Sequence, residues 1–204
     1  ENFDIRGQCI PQKKCEHAFQ LNGDADNVVL RNNRIRDFNA SIKSNGGMVT
    51  LANGDKVRKY PDYVQIIGNA IYNSRPRRTN APVTLIDVVG GGGWLVRGNL
   101  IADFEKAGGN KISYAMFLKG NSRDGIIEQN LVVCEWKFSG GVRLGLSLGG
   151  GGTGKQFCEK QDCRMEHTNG IIRNNIVLNC PRDVALYLNK AKGTKIYNNT
   201  FMNT

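Results

Sequence analysis

A six-fold internal repeat constrains this chain more than any other feature. Short β-branched runs that end in asparagine recur at Asn27–Asn33, Tyr63–Asn69, Trp94–Asn99, Gly125–Asn130, Gly170–Asn175 and Thr194–Asn199, and each is followed at once by a second short apolar run. The anchor asparagines Asn33, Asn69, Asn99, Asn130, Asn175 and Asn199 are 36, 30, 31, 45 and 24 residues apart. Such spacing describes a unit of about two dozen residues carrying insertions of unequal length. Helical periodicity is absent, and runs this short and β-branched are strands. Asparagine tolerates the left-handed backbone of a sharp corner, and stacked amides can hydrogen-bond along an axis. Both properties give a reason for one residue type to recur at one corner.

A third apolar segment follows each pair, at Ala18–Gly23, Ala40–Gly46, Val83–Gly90, Ala115–Gly120, Val142–Gly149 and Val184–Asn189. Three short strands per coil over six to seven coils make an all-β solenoid. The pattern resembles the right-handed parallel β-helix of polysaccharide lyases and other carbohydrate-active proteins over most of residues 1–204. Residues 1–8 show no amphipathic helix, and the sequence stops inside a repeat at residues 199–204, so the ends read as uncapped. The expectation is a single β-helix domain over 1–204, a piece of a longer chain or a unit of an end-to-end or larger assembly.

Six cysteines form an even set. Two pairs, Cys9/Cys15 and Cys158/Cys163, are close enough to be local staples, and Cys134 and Cys180 each trail an anchor asparagine by four or five residues, which suits adjacent coils. Disulfides and an oxidising compartment follow: secreted, periplasmic or cell-surface. Zinc would need tighter cysteine spacing. No apolar stretch approaches the length of a membrane span.

The chain carries 28 Lys and Arg against 18 Asp and Glu, a net charge of +10. That excess favours an anionic partner, which outside a cell is acidic polysaccharide, anionic lipid or nucleic acid. Side chains projecting from one face of a rod form a long groove suited to a linear polymer, so the expected partner is acidic polysaccharide, with no nucleic acid and no membrane span. Insertions fall at 46–61, 73–82, 104–112 and 149–168, and loops on a rigid scaffold commonly wall a binding site. The stretch Gly149–Lys155 matches the start of a phosphate-binding loop, but Gln156 stands where Ser or Thr would meet magnesium, so it is read as a loop ending at the Cys158/Cys163 staple. Glu166 and His167, adjacent on an extended strand, point to opposite faces, and a surface or loop role is expected of His167.

Polar residues on the third segments nominate a site: Lys119 and Arg143 as catalytic residues, side by side on the outside of the rod, with Lys43, Arg75, Arg77, Asp87, Tyr187 and Lys190 binding substrate. Cleavage of a uronic-acid polymer by β-elimination needs a neutralised carboxylate, a base for the adjacent C–H and a proton donor for the leaving oxygen. Lysine becomes a base when burial or like charge lowers its pKa, whereas arginine stays charged. Here the sequence resembles the chondroitinase-B and alginate-lyase type of β-helix enzyme, whose lysine base, following asparagine and later arginine find counterparts in Lys119, Asn130 and Arg143. The resemblance covers about 30 residues. Two departures stand out: Ile112-Ser113-Tyr114 replaces the family's acidic calcium ligands, and Arg143-Leu144-Gly145 replaces Arg-His-Gly. No cofactor is therefore expected, and no calcium ligand set is identifiable. The alternatives are a non-catalytic structural or adhesive β-helix in a larger extracellular assembly, and a hydrolase using Asp87, Asp183 or Glu166.

Overall fold

In a computed structural model, which describes residues 1–11, 14–150 and 152–204, the chain winds as a right-handed parallel β-helix. Among the described residues the strands gather into three long parallel sheets of seven, six and six strands. The first contains Asp4–Arg6, Arg34–Arg36, Ala70–Tyr72, Leu100–Ala102, Leu131–Val133, Ile176–Leu178 and Thr200–Met202. The second contains Val29–Arg31, Gln65–Ile67, Leu95–Arg97, Ile126–Glu128, Ile171–Arg173 and Lys195–Tyr197. The third, the floor sheet of the site below, contains His17–Asn22, Ala40–Asn45, Val83–Val89, Ile112–Lys119, Val142–Gly149 and Leu186–Asn189.

The strands of the first two sheets are only three residues long, and pleating turns just the middle one inward. Those middle residues stack in register: Ile35, Ile71, Ile101, Val132 and Val177 in the first sheet, and Ile66, Val96, Ile127 and Ile172 in the second, all fully buried. A stack of similar branched side chains packs the interior, and this is why size varies so little at that position from coil to coil.

The corner between these sheets departs in one detail from the sequence reading. The left-handed backbone belongs to the residue before each anchor, namely Asn32, Gly68, Gly98, Gln129, Asn174 and Asn198. The anchors themselves turn inward. Asn69 Nδ2 donates to Asn99 Oδ1 at 3.0 Å and to the Leu30 carbonyl of the preceding coil at 2.9 Å, while its Oδ1 accepts from Asn33 Nδ2 and from the Asn33 N–H. The pattern repeats through Asn99, Asn130, Asn175 and Asn199. Every buried amide in the ladder thus finds partners in both neighbouring coils, which removes the cost of burying it.

Three disulfides join Cys9–Cys15, Cys134–Cys180 and Cys158–Cys163, as the spacing suggested. They fit an oxidising, extracytoplasmic setting. Among the described residues no helix is long and apolar enough to cross a membrane.

Candidate functional site

The floor sheet differs from the other two in strand length, reaching seven or eight residues at Val83–Val89, Ile112–Lys119 and Val142–Gly149. Strands this long bend across a corner. Its pairing steps over Leu85, Ala115 and Gly145, and the inside-outside alternation resets there: Leu85 and Ile86 both enter the core, as do Ala115 and Met116. Tyr114, Phe117 and Lys119 consequently all face the same groove.

Two outward columns cross the groove floor. One runs Lys43, Asp87, Phe117, Ser147, Tyr187, and its neighbour carries Val89, Lys119, Gly149 and Asn189. Walls rise from two insertions, one bearing Lys106 and Asn110 and the other Thr153 and Phe157. Between them lies a cavity of about 490 Å³. Gly151, part of the Gly149–Lys155 stretch, lies outside the described residues.

Lys43 and Asp87 neutralise one another across 2.8 Å, and Asp87 Oδ1 is left without a hydrogen-bond partner. Lys119 is placed differently. Its Nζ sits 4.1 Å over the Phe117 ring centroid, with no carboxylate in ion-pair reach among the described residues. Burial pushes its pKa below the usual lysine range and Lys43 adds to that, while Asp87 and Glu166 pull the other way. Tyr114 packs edge-on to Phe117 at 5.3 Å and faces Tyr187 at 6.5 Å, and burial raises its phenol pKa. Cation, phenol and ring faces thus meet in one cavity, offering a charge and apolar faces side by side.

Arg143 requires a correction. It is not beside Lys119 on the outside but 2% exposed, inside the turn formed by residues 134–141. Its guanidinium pairs with Glu105 at 3.1 Å, lies 4.0 Å from Asp103, and donates to the Gly140 and Phe138 carbonyls at 2.8 and 3.1 Å and to that of Cys134. The strand alternation before the corner, opposite to that after it, carries this side chain away from the groove. Arg77 is likewise buried, at 1% exposure, donating to Asn39 Oδ1 and the Cys15 carbonyl. Its neighbour Arg75 is exposed on the 73–82 insertion. Lys190 follows the floor strand and lies in a separate depression with Lys155 and Arg164.

His167, expected in a surface or loop role, is fully buried, as is its neighbour Glu166. Glu166 Oε2 accepts from the Gly120 N–H at 2.7 Å and the Thr153 hydroxyl at 2.9 Å, tying the glycine-rich wall to the end of the Lys119 strand. His167 Nδ1 meets Ser122 Oγ at 2.7 Å, and burial holds its pKa down to about 4. Of the nominated residues, then, Lys119, Lys43, Asp87 and Tyr187 share the outer face of the floor sheet. Tyr114, Phe117 and Lys106 were missed. For the first two, the aromatic spacing of three before Lys119 would have revealed them had the corner at Ala115 been recognised.

Among the described residues there is no group of three or more His, Cys, Asp or Glu side chains suited to a metal ion. Compared with protein families, curated proteins and solved structures, the chain matches none of them.

Proposed function

We propose that this protein binds an acidic polysaccharide in the groove of the floor sheet, with the carboxylate of one sugar on Lys119 and the sugar face over Phe117 and Tyr114. One observation carries the reading: Lys119 is a half-buried ammonium whose nearest partner is an aromatic ring rather than a carboxylate. A cation drawn out of water without a counter-charge is costly, and an incoming anion relieves that cost. The +10 charge of the chain assists the encounter.

A second reading makes the same groove a lyase, and the downward shift of Lys119 favours it. Lys43, which lines the same groove, would neutralise the uronate carboxylate, neutral Lys119 would take the proton on the adjacent carbon, the C–O bond to the next sugar would break as the C=C bond forms, and the Tyr114 hydroxyl would protonate the departing oxygen. Arg143 has no part in this scheme.

Affinity electrophoresis in gels containing alginate, chondroitin, pectate or glucuronan, run beside an ultraviolet assay for the conjugated unsaturated sugar end, tests both. Retardation by at least one acidic polymer, lost in Lys119→Met, is the expected result. Equal mobility with and without every polymer would remove the binding reading. Retardation without an ultraviolet signal would remove the lyase reading alone.

A further inference from the structure

Lys106 belongs to the insertion that walls the groove opposite the glycine-rich segment. It is held in place by a parallel bridge to Arg77 and is only 4% exposed. Its ammonium has one neutral acceptor, Asn110 Oδ1 at 3.0 Å, an atom that also accepts the Ile112 N–H at 3.1 Å. An ammonium has three donors, and Asn110 Oδ1 is the side-chain acceptor it meets among the described residues. The adjacent carboxylate, Glu105, pairs instead with Arg143 at 3.1 Å. Among the described residues no other carboxylate stands within ion-pair distance of Lys106. Burial also depresses its pKa.

Lys106 and Lys119 line the same cavity but lie toward opposite ends of one strand. The loop carrying Lys106 and Asn110 leads into Ile112–Lys119, which spans at most about 23 Å. Tyr114 and Phe117 lie between. Cation, aromatic floor, cation is a layout for a ligand with two acid groups held apart by sugar faces. A single acidic sugar satisfies only one end.

We infer that Lys106 is a second anion-recognition residue, and that the groove selects an oligosaccharide bearing at least two acid groups over an isolated acidic sugar. This rests on the binding function proposed above. The test is calorimetric titration of the whole chain with uronates from the single acidic sugar to the hexasaccharide, made from whichever polymer retards it or, if none does, from all four. Wild type is expected to gain about tenfold or more in affinity from the shortest to the longest. Lys106→Met should abolish that gain while leaving the single acidic sugar unchanged, whereas Lys119→Met should weaken every length.

Because Lys106 is buried, Asn110→Asp provides an independent variant. It keeps the acceptor for Ile112 N–H and sets a carboxylate against Lys106, so it too should abolish the gain, with an unchanged melting temperature. Retention of the length dependence in Asn110→Asp, or equal weakening of short and long ligands by Lys106→Met, overturns the second point alone. A wild type that binds none of the series overturns the groove reading and this inference with it.

Discussion

Arg143 and Lys119 sit on strands that are neighbours in one sheet, yet the protein treats their charges in opposite ways. Around Arg143 the chain supplies Glu105, Asp103 and three carbonyl oxygens, so the guanidinium is a structural hub that organises residues 134–141 beside the Cys134–Cys180 disulfide. Around Lys119 it supplies a ring face and an open cavity. His167 illustrates a third solution: a buried base that stays neutral, its ring bonded to Ser122 Oγ. A buried cation with its own carboxylates holds the fold together, and one without them is free to meet a ligand.

Removing the hub should have the largest effect. Arg143→Met leaves Glu105 buried without its partner, and losses of about 3–5 kcal/mol are typical of such a change. For a chain of this size that corresponds to a melting temperature lower by about 10 °C, read by thermal unfolding. A variant that melts like wild type would erase the distinction between the two regions.

The neutral histidine makes a prediction about pH. Its folded pKa of about 4 lies below the ordinary 6.5, so the unfolded chain binds the extra proton between those values. The stabilisation is therefore full above about pH 6.5 and is lost as pH falls toward 4, an effect of about 3 kcal/mol for a group this buried. Urea unfolding at pH 7 and at pH 4.5 should show wild type losing more stability on acidification than His167→Asn. Parallel losses would mean that His167 is already charged in the fold.

Lys119→Met should separate stability from function. Unfolding free energy is expected to stay within about 1 kcal/mol of wild type, because no ion pair is broken, while affinity for an acidic oligosaccharide falls about 30-fold or more. Loss of stability comparable to that of Arg143→Met would make Lys119 a structural residue as well. The smallest effect is expected from Glu166→Gln. Glu166 raises the Lys119 pKa, so its neutralisation should move the alkaline limit of ligand binding to lower pH, by less than about one unit. A limit displaced upward would contradict the electrostatics of the groove.

Much of the fold was legible because it is written locally and repeatedly. Middle residues such as Ile71, Ile101 and Val132 recur at one place in each phrase, and the cysteine spacings suggested pairs that prove to be bonded without fixing the connectivity. The site was legible only in part. Lys43 and Asp87 lie where strand alternation puts them, but alternation alone sends Arg143 outward too. What reverses it is a corner at Ala115 and Gly145, marked by small residues rather than by any polar pattern. Lys106 lies in an insertion, where no repeat fixes its phase. The anchor asparagines were identified correctly, but their left-handed corner belongs to the preceding residue, because the anchor amide must reach both neighbouring coils.

The most direct test of an uncompensated cation in the groove is the titration of Lys119 itself, followed by the NMR shift of its ε-carbon and assigned with Lys119→Met. The account predicts a pKa below the ordinary lysine range in the free protein that rises when an acidic oligosaccharide is added. An ordinary pKa that does not move with ligand would contradict it.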